Sequence, residues 1–284
     1  MATLRFPLLQ TQVEQVVNDA LNEDGAYDDI TTIATILSDR RSRGTLVARQ
    51  DGVVAGVPLA REAFRLLDPK ASIRVEHEDG ARVKQGDPIL FVTGHARGLL
   101  AAERVALNFC QRLSGIATLT RKYVDLVSGT DARILDTRKT TPGWRALEKY
   151  AVRAGGGANY RMNLSDAVLI KDNHLAAVGG GVAEAVGRAR ALAPLGMKIE
   201  VECDNLEQVE DAIAADADII LLDNMTTDQL REAVKLVSGR AILEASGGVN
   251  LNTVRAIAET GVDWISIGAL THSSPAMDLA LDFD

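Results

Sequence analysis

Aromatic residues are scarce in this chain. Trp, Tyr and Phe together make up 4% of 284 residues, so the interior has to be built from Val, Ile, Leu and Ala. Cysteines are fewer still: Cys110 and Cys203. Two cysteines in apolar surroundings exclude a disulfide framework and read as buried thiols. No CxxC, HExxH or paired Cys/His spacing occurs, which leaves no zinc signature. No run of about 18 apolar residues is present, so no membrane-spanning helix is expected. The opening MATLRFPLLQTQVEQ lacks an apolar signal core, and a cytoplasmic location is the expectation. GxGxxG does not open the first strand–helix unit and GxxxxGK[ST] is absent, against a Rossmann dinucleotide site and a P-loop. Cationic residues are outnumbered, with a formal charge of −8. That argues against broad nucleic-acid binding and leaves room for a small basic pocket that takes a small anion.

What is there begins with DTRKTTPGWR, residues 136–145, where Arg138, Lys139 and Arg145 gather in an otherwise acidic chain. GGGANYR and LIKDNH follow soon after. Each of these polar stretches comes where an apolar run has just ended.

The pattern along the chain divides it. Val13, Val16, Val17, Ala20 and Leu21 recur at helical spacing and predict a helix over 11–23. From about 44 to 92, strand-like runs (GTLVARQDGVVAG, ASIRVEHEDGARV, DPILFVTG) enclose one helical run, PLAREAFRLLD. This reads as a small α+β domain. HEDGARVKQGDPIL has the turn-rich look of a carrier domain, but the lysine such a turn would display is missing, so a hairpin scaffold is the better reading. Residues 97–127 read as helix, interrupted at SGIAT. Beyond 131, ARILD, DAVLI, MKIEVEC, DIILLD, AILEA and DWISIG are short apolar runs with helical patterns in most intervals. One interval, TTDQLREAVKLV, carries a capping box from Thr226 to Gln229 and an apolar stripe of Leu230, Ala233, Val234 and Val237. Continuous apolar strands alternating with helices point to a parallel sheet covered by helices. Six such units either close a barrel or stay open, and periodicity does not choose between them.

Parallel strands bring their C-terminal ends to one face, where ligands bind. That face would hold Arg138, Lys139 and Lys171, with Arg161 joining from NYR. Glu202 and Asp223 oppose them, one strand–helix unit apart, and could position Mg2+ directly or through water. A lone strand-end lysine or aspartate is ordinarily a surface group. Repetition at successive strand ends is what raises the set above that reading. GGG at 155–157 and SGG at 246–248 would let backbone N–H groups approach an anion, although glycines also simply turn chains. Trp144 and Trp264 read as packing residues. His77, His95 and His272 have no evident partner, and His174 is better placed.

At this level of detail the chain resembles a known family over almost its full length. EDGAYDDITT, ERVALNFCQRLSGIAT, DTRKTTPGWRALEKYAVRAGGGANYR, LSDAVLIKDNH, IEVECDNLEQ, LLDNM, EASGGVN and ISIGALTHS are similar, in this order, to nicotinate-nucleotide pyrophosphorylases (carboxylating), the quinolinate phosphoribosyltransferases. The resemblance implies an α/β fold: an N-terminal α/β sandwich, residues 1–115, and a C-terminal incomplete α/β barrel of about six parallel strands, residues 116–284. It implies transfer of phosphoribose from 5-phosphoribosyl 1-diphosphate to quinolinate with decarboxylation, a route to NAD, with Mg2+ as cofactor. It also implies a homodimer, in which Arg104 of one subunit reaches the neighbour's pocket. Arg138 and Arg161 would bind the diacid, and Lys139 and Lys171 would contact ligand anions. Glu202 and Asp223 would hold ribose hydroxyls and the metal. Ser246, Gly247, Gly248 and Gly268 would surround the 5′-phosphate, with His174 beside the substrate. One departure stands out: Tyr160 occupies a position where the family commonly has histidine. Tyrosine donates one hydrogen bond but supplies no imidazolium charge near neutral pH. Two alternatives stay open: a related phosphoribosyltransferase-like protein using another small acid, and a non-catalytic sensor of phosphoribosyl ligands.

Overall fold

The computed structural model describes residues 4–283; the outermost residues of the expected domains, 1–3 and 284, lie outside it. The chain forms two compact units. One comprises Met1–Arg121, Thr141–Gly156 and Ser273–Asp284, the other Lys122–Thr140 and Gly157–His272. The expected division was one cut between 115 and 116. By packing, the segments Thr141–Gly156 and Ser273–Asp284 group with the N-terminal residues.

In that unit, helix α1 (Gln10–Glu23) buries Val13, Val17 and Leu21, the core of the stripe read from the sequence. A short helix α2 (Ile30–Thr35) follows, capped by the Asp29 carboxylate on the Thr32 N–H. Strands β1 (Arg41–Ala48), β2 (Gly52–Val53), β3 (Ser72–Val75), β4 (Arg82–Val83) and β5 (Pro88–His95) surround helix α3 (Val57–Leu67) in sequence. β1 and β5 pair antiparallel, β3 flanks β5, and β2 pairs with β4. Strand β12 (Leu279–Phe283), at the far end of the chain, completes this sheet beside β1, with Leu46 opposite Leu281.

Helix α4 (Ala96–Leu126) runs without a break through Ser114 and Gly115. The predicted interruption at SGIAT does not occur. Ser114 turns its hydroxyl to the Ala55 backbone, accepting from N–H at 2.9 Å and donating to the carbonyl at 3.1 Å. At Gly115 an added Cβ would stand 2.0 Å from the Pro275 carbonyl oxygen. These residues serve close packing against the helix, not its termination. Helix α5 (Arg145–Ala154) belongs here too, its buried Glu148 ion-paired to Arg112 at 2.6 Å.

The second unit holds the apolar runs as β6 (Arg133–Leu135), β7 (Val168–Ile170), β8 (Ile199–Cys203), β9 (Ile219–Asp223), β10 (Ile242–Ser246) and β11 (Trp264–Ser266). They form one parallel sheet in the order β6-β11-β10-β9-β8-β7. The first strand therefore lies beside the last, as in a barrel, while β6 and β7 do not pair, and the barrel is incomplete. Along that seam the backbone of Ala158 bonds to β6: its N–H donates to the Ile134 carbonyl at 2.9 Å and its carbonyl accepts from Asp136 N–H at 3.2 Å.

Helices α6 (Asp172–Val178), α7 (Gly181–Leu192), α8 (Leu206–Ala214), α9 (Thr227–Val237), α10 (Val254–Ala258) and α11 (Ala269–His272) fill the intervals. The capping box of α9 is present, with Gln229 N–H donating to the Thr226 hydroxyl at 3.3 Å and Thr226 N–H to Gln229 Oε1 at 2.9 Å. Leu230, Ala233 and Val237 of its stripe are buried.

Candidate active site

Strand register decides which side chains share a face. Glu202 on β8, Leu221 on β9, Glu244 on β10 and Trp264 on β11 are successive partners across the sheet. Side chains alternate along a strand. Glu200, Asp223, Ser246 and Ser266, two positions away from these, therefore project to the same side. This face carries the polar chemistry, while Val201 and Cys203 point the other way and are wholly buried.

At the C-terminal edge the expected groups come together. Ile170 pairs with Val201, so the next residue, Lys171, arrives beside Glu202, and the two form an ion pair. Asp223 is the register partner of Ser246. The Ser246 carbonyl accepts from Asn224 N–H at 2.9 Å, tying the two loops together. Gly247 has φ +88°, and a Cβ there would meet Asn224 Oδ1 at 2.2 Å, so this turn admits glycine alone. Gly248 also has positive φ, with no atom within 4 Å of the position a Cβ would take. Its backbone is open to approach.

Lys139 lies on the same edge. Its carbonyl accepts from the Thr271 hydroxyl at 2.7 Å, and its Cδ passes 3.1 Å from where a Cβ on Gly268 would be. Arg138 precedes it, half-buried, in the loop that leaves β6. Tyr160 and Arg161 come from the seam instead of a strand end. Asp136, buried at the end of β6, anchors this segment by accepting from Tyr160 N–H at 3.2 Å and Asn159 Nδ2 at 2.5 Å.

Other predicted residues are placed differently. Arg104 is exposed on α4 in the N-terminal unit, bordering a recess with Asp24, Asp28 and Asp29. His174 is exposed on the first turn of α6, where Nδ1 accepts from Lys171 N–H at 2.9 Å. One role of that imidazole is thus to cap the helix that presents Lys171. Gly155 of the GGG run packs against α4, since a Cβ there would lie 2.4 Å from the Ala117 carbonyl oxygen.

Three further acids lie at or beside this face: Glu200 and Glu244 on it, and Asp136 just past the end of β6. All are buried, Glu200 completely. Burial raises the Glu200 carboxyl above the usual range, and burial followed by the charge of Glu200 raises that of Glu244. Tyr160 is raised too, by burial first and then by the Glu200 charge. Its hydroxyl is buried near that carboxyl without completing a hydrogen bond of ordinary geometry. The legible signal was Glu-Val-Glu inside an apolar run, which puts two acids on one face of a strand.

Among the described residues no cluster of three or more His, Cys, Asp or Glu is assembled to hold a metal. Glu202 and Asp223 sit near the same edge on adjacent strands, and both are partly accessible. Two carboxylates with solvent access suit Mg2+, which keeps waters and takes substrate phosphates as further ligands.

The matches to known proteins agree with this layout. Residues 29–114 match the family model described as "Quinolinate phosphoribosyl transferase, N-terminal domain", and residues 116–282 match its C-terminal domain. The chain is 48% identical over 274 residues to the nicotinate-nucleotide pyrophosphorylase [carboxylating] of Mycobacterium leprae, covering 94% of this chain and 95% of that one. It is 43% identical to a probable enzyme of the same name from Bacillus subtilis, covering 95% and 93%. The solved structure of the nicotinate-nucleotide pyrophosphorylase from Francisella tularensis superposes with a TM-score of 0.93 at 40% identity, covering 99% of both chains. With the two family models matching residues 29–114 and 116–282, the chain belongs to the quinolinate phosphoribosyltransferase family.

Proposed function

We propose that the protein transfers the phosphoribosyl group of 5-phosphoribosyl 1-diphosphate to quinolinate, releasing pyrophosphate and CO2 and forming nicotinate mononucleotide, a step in NAD biosynthesis. The observation that carries this reading is the shared strand edge. Lys139, Lys171, Glu202, Asp223, Ser246, Gly247, Gly248 and Gly268 lie along it, with Arg161 entering from the seam.

The chemistry asks for alignment more than for a strong base. The pyridine nitrogen is already a nucleophile and has to be brought in line with ribose C1. Arg138 and Arg161 hold the two carboxylates of quinolinate. Lys139 and Lys171 bind the ligand's anionic groups and stabilise the departing pyrophosphate. Positive charge develops on the ribose as that bond breaks, and Glu202 and Asp223 favour it electrostatically while holding ribose hydroxyls. The turn at Ser246–Gly248, with Gly268, offers backbone N–H groups to the 5′-phosphate. Glu202 and Asp223 would hold Mg2+, which when bound supplies charge neutralisation for the diphosphate. Once the N-glycosidic bond forms, the ring is a pyridinium. Its cationic nitrogen stabilises the carbanion left at C2 when that carboxylate departs as CO2, a proton from water then forms the C2–H bond, and the C3 carboxylate stays.

In the homodimer that we also propose, Arg104 would complete the partner's site. We place the enzyme in the cytoplasm; among the described residues no helix is long and apolar enough to cross a membrane.

The test follows nicotinate mononucleotide and CO2 together from quinolinate, 5-phosphoribosyl 1-diphosphate and Mg2+, with nicotinate as a competing acceptor. Equal yields of both products from quinolinate support the reading. Product from nicotinate alone rejects the diacid pocket, and no turnover by folded protein rejects the assignment.

A further inference from the structure

Ala158 forms one rung of a parallel ladder with β6: its N–H donates to the Ile134 carbonyl, and its carbonyl accepts from Asp136 N–H. In such a ladder the next rung would run from the N–H two residues on, at Tyr160, to the backbone carbonyl of residue 136. Here that N–H goes to the Asp136 side chain instead, to Oδ1 at 3.2 Å. The other oxygen, Oδ2, accepts from Asn159 Nδ2 at 2.5 Å. Asp136 is 1% exposed, so water barely competes for these oxygens. Taking an acceptor away from donors in such a place costs more than the same loss at the surface.

A side-chain rung lets two segments part while their spacing stays fixed. Two positions past Asp136 comes Arg138, and directly past Tyr160 comes Arg161. Residues 162–166 beyond Arg161 are exposed, and Met162 N–H turns to the nearby Asp166 carboxylate at 2.7 Å. The backbone that carries Arg161 is therefore held from its N-terminal side, by Asp136 and by the Tyr160 ring, which packs on Trp264 with centroids 5.8 Å apart. The Arg161 side chain adds one long bond, from Nη1 to the Ala167 carbonyl at 3.4 Å. Lys139 has tethers of its own: its carbonyl accepts from the Thr271 hydroxyl at 2.7 Å, and its N–H donates to the Thr137 hydroxyl at 3.1 Å. Loss of the Asp136 grip should thus disturb the arginines and spare Lys139.

We propose that Asp136 is a positioning residue: its carboxylate fixes the segment bearing Arg161 against the segment bearing Arg138, so that the two guanidiniums meet the two carboxylates of the acid substrate together. The inference deepens the proposed function and rests on its assignment of Arg138 and Arg161 to that acid.

The test compares the unaltered protein with Asp136→Asn, which leaves one oxygen for the Tyr160 N–H but turns an amide NH2 toward the Asn159 amide. The expected result is a rise of about tenfold in the KM for quinolinate, the scale of one lost charge-assisted bond. The KM for 5-phosphoribosyl 1-diphosphate should hold. Combining Asp136→Asn with Asn159→Asp exchanges amide and carboxylate, so that position 136 still accepts from Tyr160 N–H and now donates to position 159. This double variant should bring the quinolinate KM back to within about threefold of the unaltered protein, a coupling that loss of fold stability alone would not produce. Equal rises in both KM values, no rise for quinolinate, or a double variant no better than Asp136→Asn would overturn the inference. Should Asp136→Asn fail to fold, Asn159→Ala removes one donor and keeps the bond to Tyr160, and a rise of about threefold confined to quinolinate is then required of it. Absence of quinolinate turnover by the unaltered protein sinks the functional reading itself, whereas turnover there with an unselective variant sinks this inference alone.

Discussion

Lys171, the residue that follows β7, and Glu202 on the neighbouring strand β8 of the incomplete barrel are joined by an ion pair. The Lys171 side chain is 44% exposed, so the pair contributes about 0–1 kcal/mol to stability. The value of the pair therefore lies in what it presents to a ligand. Glu202→Gln should lower kcat by roughly a hundredfold, the scale of one removed electrostatic stabiliser, with the melting temperature nearly unchanged. Steady-state kinetics beside a thermal melt checks this. A large loss of stability with normal kcat would contradict it.

Tyr160 turns its hydroxyl into the buried region near Glu200. If that group does not touch the substrate, Tyr160→Phe should change the quinolinate KM by less than about threefold, since a net hydrogen bond is worth about 1 kcal/mol at most sites. The ring and its packing on Trp264 remain in this variant. A rise of tenfold or more would instead place the hydroxyl on the substrate.

Gly115 separates helix propensity from packing. Alanine in a helix interior is favoured over glycine by about 1 kcal/mol. Here its methyl would sit 2.0 Å from a backbone oxygen, a group with little freedom to retreat. Gly115→Ala should therefore be net destabilising by roughly 2 kcal/mol or more, as judged by urea denaturation. A stabilised variant would show that the Pro275 segment moves freely.

Asp218 contributes to the acid limb of stability. Burial opposes its charge, but donors from Lys198, the Ile199 N–H and Arg190 outweigh burial and lower its pKa from 3.8 to about 2. A carboxylate depressed on folding contributes stability that is fully present above its unfolded pKa and is lost as pH falls through the folded one. The contribution should thus fade between pH 3.8 and about pH 2. Asp218→Asn should flatten the pH dependence of unfolding in that window, measured by urea melts at each pH. An unchanged slope would assign the acid limb to other groups.

Much of the architecture was legible because it is local. Val13, Val17 and Leu21 repeat at helical spacing, Thr226 and Gln229 cap their own helix, and apolar runs ending in Asp, Lys and Glu mark parallel strands. The helix runs on through SGIAT because Gly115 owes its identity to Pro275, 160 positions away in the chain. Nothing nearby in the sequence reports that contact. The bond by which His174 caps α6 depends on where that helix begins, which the sequence pattern does not show.

By itself the sequence determined the kinds of element, their order, and the charged residues that close each apolar run, since these follow from periodicity and from which side chains tolerate a strand end. Tertiary structure decided the rest. Strand order put β6 beside β11 and left the seam from which Tyr160 and Arg161 enter. Register brought Lys171 to Glu202 and set Glu244 beside Trp264. Burial then singled out Glu200 and Glu244 from other acids of the same composition, because a carboxyl's charge is expensive only where water is removed.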